Sequence, residues 1–192
     1  MASADRLTLP LRSRRLSLRL PRPEDAPRYL EIQMSPGVMD SRPGDELWTL
    51  SRVRRWIAER RRDARAGTRY DLAIELRSSQ RVVGRVALKG IDDRNRRAEL
   101  AYWLDPECWG AGLASEAVRT LCRAGLATLR LHRIDAGVLE FNRRSIALLE
   151  RMGFQREGAV RDAIEYDHRW FRELRYGLLL GELKPPARAR TR

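Results

Sequence analysis

Ala98 to Ala117, AELAYWLDPECWGAGLASEA, is the stretch that decides the architecture. Its first half alternates, with Leu100, Tyr102 and Leu104 on one face and Glu99, Ala101 and Trp103 on the other, which is the period of a β-strand. Asp105 and Pro106 stop it. Gly110 and Gly112 then open backbone conformations closed to other residues. From about Leu113 the apolar positions Leu113, Ala117, Leu121 and Ala124 fall at helical spacing. A strand, a Gly-rich turn and a helix in that order offer unpaired N–H groups at a positive dipole end, a ready place for phosphate. A single GxG can also be no more than a tight strand–helix turn. A dinucleotide fold is disfavoured, because the third Gly of its fingerprint is absent and no early βαβ unit surrounds the turn.

Elements on either side follow from the same rules. Arg15–Leu20 alternates as a strand, and Pro23-Glu24-Asp25 opens a helix to about Met34. Val38–Glu46, with Pro43 and Gly44, reads as a loop, and Thr49 to Ala66 as a second helix closed by Gly67. Tyr70–Leu76 and Val82–Leu88 form a hairpin, Arg96–Leu104 is the strand above, and its helix runs to about Leu129. Arg133–Leu139 lies parallel beside Ala98–Leu104, because a helix joins them. Asn142 starts a helix over Arg143–Met152 that Gly153 ends. Phe154–Val160 and Arg169–Leu180 make a last antiparallel pair around a turn at Glu165–His168.

At 192 residues, 43% of them hydrophobic, the chain suits one soluble globular domain. No apolar run reaches the ~20 residues of a membrane helix, and Met1–Arg6 has no apolar signal core. Cys108 and Cys122 have neither metal-ligand spacing nor a partner His, so free thiols in a reducing cytoplasm and no metal site are expected. The net charge is +13, and every basic residue but Lys89 and Lys184 is arginine. Such a charge attracts nucleic acid. The arginines are nevertheless spread over the whole chain, which favours nonspecific attraction over a dedicated site. The densest tracts are Arg60-Arg61-Arg62 and the tail after Lys184.

The segment Ala98–Ala117 resembles the acyl-CoA motif of the GCN5-related N-acetyltransferases (GNAT). Trp109-Gly110-Ala111-Gly112-Leu113-Ala114 fits the superfamily turn Q/R-x-x-G-x-G/A except at its first position. Trp109 and the flanking AEL, YWLDP and SEA are similar to the RimJ/RimL branch, which acetylates ribosomal-protein N-termini. Ala111 departs from it, standing where that branch often has a basic residue. The resemblance implies an α/β (α+β) fold with a mixed, mostly antiparallel sheet of about seven strands flanked by helices. It implies one acetyltransferase domain over residues 1–183 and a homodimer as the partner arrangement; the polar, Pro-containing stretch 184–192 reads by composition as a disordered basic tail.

It further implies acetyl-CoA as cosubstrate, with Leu100, Ala101, Tyr102, Trp109, Gly110, Ala111, Gly112, Leu113, Ala114, Ser115 and Asn142 around it. Glu99 corresponds to the base that draws the amine proton, directly or through water; it could equally be a strand Glu paired with Arg96 or Arg97. Asn142 and Ser145 match an N-x-x-S turn in which Asn contacts the pantetheine and Ser protonates the departing thiolate. Asn142 is also a plain helix cap by type. Many superfamily members use a Tyr as the acid, but none follows Ser145 before Tyr166. His132 and His168 read as surface or capping residues. Trp48 and Trp56 fall on the first two helices, which cover the acceptor groove in this family.

Three functions compete: an N-acetyltransferase acting on a protein N-terminus or a small amine such as a polyamine or aminoglycoside, a basic nucleic-acid or ribosome-binding protein, and a CoA-binding module without chemistry. Acceptor choice falls to the loop Val38–Leu47, the first two helices and the turn near Asp167.

Overall fold

A computed structural model describes residues 6–38, 48–166 and 168–185. One eight-stranded sheet runs through them in the order β1-β2-β3-β4-β5-β6-β8-β7. Its strands are β1 (Leu11–Arg12), β2 (Leu16–Arg19), β3 (Tyr70–Leu76), β4 (Val82–Asp92), β5 (Arg97–Leu104), β6 (Arg133–Leu139), β7 (Gln155–Tyr166) and β8 (Arg169–Leu179). The helices are α1 (Ala26–Gln33), α2 (Leu50–Ala66), α3 (Leu113–Ala127) and α4 (Arg143–Met152). Every pairing is antiparallel except β5 with β6, where α3 makes the crossover. The expected mixed sheet is therefore present, with eight strands instead of about seven. The extra one is the two-residue β1, which pairs Leu11 with Leu18.

Other boundaries move for identifiable reasons. β7 does not end at Val160, because register shifts between Arg156 and Gly158 and between Val160 and Ile164 break its alternation while pairing continues to Tyr166. The first helix opens with a short 3-10 turn at Pro23–Asp25 and stops at Gln33. Thr49 caps α2 by accepting from the Arg52 amide, which leaves Trp48 ahead of the helix, not on it. The loop expected over Val38–Leu47 lies, beyond Val38, outside the described residues. So do Asp167 and most of the tail.

Both faces of the central strands are covered. On one, Leu100 and Leu104 join Leu113, Ala117, Leu121 and Leu148 from α3 and α4. On the other, Trp103 packs with Tyr29 and Ile32 of α1 and Val53 and Ile57 of α2. Alternation along β5 thus divides its side chains between two cores. One consequence of the topology sets the site. β5 and β6 pair only over Arg97–Glu99 and Arg133–Asp135. Beyond Glu99, β5 continues to Leu104 without that partner, so the sheet opens in a V whose walls are Ala101–Leu104 and Ala136–Leu139.

Candidate active site

The turn before α3 is built to expose amides. Gly110 and Gly112 stand at φ 78° and 75°, the left-handed region that glycine enters without strain. Gly112 is the N-cap and has no side chain with which to accept from the first helical turn. The amides of Leu113, Ala114 and Ser115 have no acceptor among the described residues, and the first inward bond is Glu116 N–H to the Gly112 carbonyl at 3.1 Å. The turn is braced from outside. Arg15 donates through Nη1 to the Ala111 carbonyl at 2.9 Å and through Nε to Glu116 at 2.7 Å. The Glu116 carboxylate also accepts from the Arg15 amide and the Ser13 hydroxyl. Burial pushes Glu116 up, but these donors outweigh it and hold the carboxyl below its usual range.

A cavity of about 780 Å³ opens from these amides. Gly110, Gly112, Leu113, Ala114 and Ser115 form one end, Tyr102–Leu104 a wall, and Phe141–Ser145 and Arg151 the opposite side. Trp109 is pinned by its indole N–H to the Leu104 carbonyl at 2.9 Å, and the Arg144 guanidinium lies 4.4 Å from its ring centre. Arg143, Arg144 and Arg151 make this side cationic.

A second cavity of about 790 Å³ lies on the α1–α2 side of the V, with Glu99, Trp48 and Trp56 in its lining. Tyr102, Trp103, Asn142 and Ser145 line both cavities. At this junction the Tyr102 hydroxyl is 2.5 Å from the Ser145 Oγ. Burial pushes the Tyr102 phenol up to about 12, against the opposing pull of Ser145. Asn142 accepts through Oδ1 from the Ser145 amide at 3.1 Å, so it caps α4 and fixes the loop that carries Ser145.

The two cavities meet at Tyr102, Trp103, Asn142 and Ser145. The GNAT acetyltransferase domain matches residues 15–155, from just before β2 to the first residue of β7. The chain belongs to the GNAT acetyltransferase family. It is 34% identical over 152 residues to the N-acetyltransferase p20 of Bacillus licheniformis, covering 79% of this chain and 85% of that one. Shorter matches reach two Escherichia coli enzymes. The alanine N-acetyltransferase of ribosomal protein uS5 is 37% identical over 71 residues, 37% of each chain. The spermidine N(1)-acetyltransferase is 32% identical over 99 residues, 47% of this chain and 53% of that one. Mycobacterium smegmatis RimJ, solved in complex with CoA-disulfide, superposes with a TM-score of 0.80 at 25% identity, covering 88% of this chain and 84% of RimJ.

For a GNAT enzyme the first cavity fits an acyl-CoA. Free helix-end amides suit a diphosphate, three arginines suit further phosphate, and the slot beside β5 suits an extended chain. Of the residues expected around the cosubstrate, Tyr102, Trp109, Gly110, Gly112, Leu113, Ala114, Ser115 and Asn142 do line it. Leu100 and Ala101 line the second cavity instead, where β5 has lost its parallel partner; their side chains alternate, and that of Leu100 points into the α3–α4 core. Ala111 lines neither, and its carbonyl faces Arg15.

Glu99 also lines the second cavity, 40% exposed, and its partner is Lys89 at 2.7 Å, not Arg96 or Arg97. Lys89 reaches it because the two residues are opposite each other in β4 and β5. His132 and His168 are both exposed. Cys122 is buried in the core, where burial pushes its thiol up to about 12. Among the described residues no three His, Cys, Asp or Glu side chains gather as a metal would require, and no helix is long and apolar enough to cross a membrane.

Sequence reasoning missed the Tyr102 hydroxyl as a partner of Ser145, since it sought a Tyr after Ser145. It also missed Arg15, Arg143, Arg144 and Arg151. Helical spacing holds a signal for the last two, as Arg144 and Arg151 are seven residues apart on one face of α4.

Proposed function

We propose that this GNAT enzyme transfers the acetyl group of acetyl-CoA to a primary α-amine, at the N-terminus of a cytoplasmic protein, the acceptor type of the uS5 relative. The observation that carries the reading is the meeting of two cavities at Tyr102 and Ser145, with Glu99 on the acceptor side. Bound acetyl-CoA supplies an activated thioester. The amides of Leu113–Ser115 hold the diphosphate, and Trp109 with Arg144 closes over the cosubstrate chain. Glu99 takes the amine proton through water. An α-amine, with a reference pKa of about 7.7–8 against about 10.4 for lysine, needs only a modest base. Tyr102, backed by Ser145, donates a hydrogen bond to the sulfur as it leaves.

Thiol release from acetyl-CoA tests the reading, with peptides beginning Ala, Ser and Met against polyamines and aminoglycosides, and mass spectrometry to place the acetyl group. Turnover on a peptide α-amine supports it. Turnover confined to small polyamines refutes the acceptor, and none on any amine refutes the transfer.

A further inference from the structure

The acceptor cavity holds polar donors that the acetyl transfer just proposed leaves unused. Tyr29 and Gln33, one helical turn apart on α1, both line it and are 1% and 5% exposed. The Tyr29 hydroxyl and the Gln33 side-chain nitrogen have no hydrogen-bond partner among the described residues. Buried polar groups are nearly always paired, so two orphans in one cavity call for an explanation.

Arg85 is the third member. It is 5% exposed on β4 and sits directly opposite Trp103 of β5. Its Nε donates to Asp71, and its guanidinium carbon lies 5.4 Å from the Trp56 ring centre. Its terminal nitrogens have no acceptor among the described residues. Tyr29 packs edge-on against Trp56 and Trp103, with ring centres 5.7 and 5.2 Å apart, so the donors are held by rigid aromatic neighbours.

The charge of the cavity points the same way. Asp71, fully buried, serves both Arg69 and Arg85, which leaves that cluster with one excess positive charge. Glu99 is neutralised by Lys89, and Glu173 by Arg175 at 2.6 Å. Among the described residues of the lining no carboxylate is left to receive a second ammonium group. A polycationic acceptor finds repulsion there, whereas an anionic oxygen finds three preorganised donors.

We propose that Arg85, Tyr29 and Gln33 form a carboxylate-recognition site in the acceptor cavity, so that the preferred acceptor is an amine bearing a carboxylate close to the nitrogen. The proposal rests on the acetyl-transfer reading, and it narrows the acceptor by chemistry. The carboxylate can belong to an acidic residue at the start of a peptide or to a free amino acid.

The experiment uses the full chain with tripeptide amides beginning Glu or Gln and Asp or Asn, with free alanine and alaninamide, and with spermidine. Each is assayed for thiol release and, separately, by calorimetric titration into CoA-loaded protein. Carboxylate members should exceed their carboxamide counterparts by about tenfold or more in kcat/KM and in affinity, the effect of a charge-assisted hydrogen bond. The peptide and free amino-acid arms show which source the site takes. Tyr29→Phe and Arg85→Gln should erase the preference by raising KM for the carboxylate members, with kcat and acetyl-CoA affinity little changed. Because its hydroxyl has no partner, Tyr29→Phe should not lower Tm.

Equal use of acid and amide, or spermidine as the best acceptor, overturns the proposal. So does a Tyr29→Phe protein that retains the preference. Turnover without preference removes the site but leaves the transferase, whereas carboxylate-selective binding without thiol release supports the site and removes the transferase.

Discussion

Replacing Tyr102 with Phe tests how the thioester sulfur leaves. The phenol is pushed up to about 12 by burial, whereas a thiol has a reference value of about 8.5. Full proton transfer from Tyr102 to the thiolate is therefore uphill by about 3.5 units, or about 5 kcal/mol. The hydroxyl, 2.5 Å from Ser145 Oγ, is better suited to donate a hydrogen bond to the developing charge. Bonds of that kind contribute about 1.5–3 kcal/mol, so Tyr102→Phe should lower kcat by roughly 10- to 150-fold. Acetyl-CoA affinity should barely change. Stability should fall by only about 1 kcal/mol for the lost Ser145 bond, about 2–4 °C in Tm. The assay is steady-state thiol release at saturating acetyl-CoA from pH 6 to 10, with Tm measured alongside. Both proteins should share the same pH profile, because a phenol near 12 does not titrate in that window. An unchanged kcat would refute the role, and loss of an alkaline limb near pH 8–9 in the variant would show Tyr102 titrating as a full acid.

Glu99→Gln should lower turnover by roughly 10²–10⁴ if the carboxylate accepts the amine proton, with acetyl-CoA affinity unchanged by calorimetry; a loss under about threefold at every pH makes Glu99 a partner of Lys89 alone. Gly112→Val should weaken acetyl-CoA binding by more than tenfold, since a β-branched residue is strained at φ 75° and disturbs the helix-end amides; unchanged affinity in a folded variant would place the diphosphate elsewhere. Glu116→Gln should cost about 1 kcal/mol at pH 7. The folded Glu116 is held below its ordinary range, so its contribution is present above the unfolded value of about 4.3 and is lost as pH falls through the folded one. The Tm difference between wild type and variant should accordingly shrink below about pH 4, and a difference independent of pH would contradict the assignment. Binding to duplex DNA and RNA should drop steeply between about 50 and 200 mM salt, as counterion release requires; submicromolar binding to one sequence or ribosomal particle at the higher salt would give the +13 charge a dedicated partner.

Local signals carried the fold because this chain keeps local and global preferences consistent. Gly110 and Gly112 marked the turn, Asn142 and Gly153 bracketed α4, and the alternation of β5 marked the strand that forms the wall of both cavities. Signals failed where a long-range pairing overrode the local pattern. The bulges in β7 hid six residues of strand, and β1 was too short to show a period. The site was legible to the extent that it is built from one contiguous segment. Arg15 reaches it from the bend before β2 and Arg85 from β4, far from Gly112 and Trp103 in sequence, and no spacing rule connects such positions.

Glu99 and Tyr102 show why function needed the third dimension. They are three residues apart on one strand, so β-periodicity sends their side chains to opposite faces. In a closed sheet a layer of backbone would separate them. Here β5 loses its parallel partner after Glu99, and the opened edge lets Tyr102 line both cavities while Glu99 stays on the acceptor side. In the transfer proposed above, a base on one face and a hydrogen-bond donor on the edge would act on opposite ends of one reaction, with the amine arriving from the α1–α2 side and the sulfur leaving toward α3. Restoring the missing β5–β6 pairs would strengthen the sheet and abolish the site.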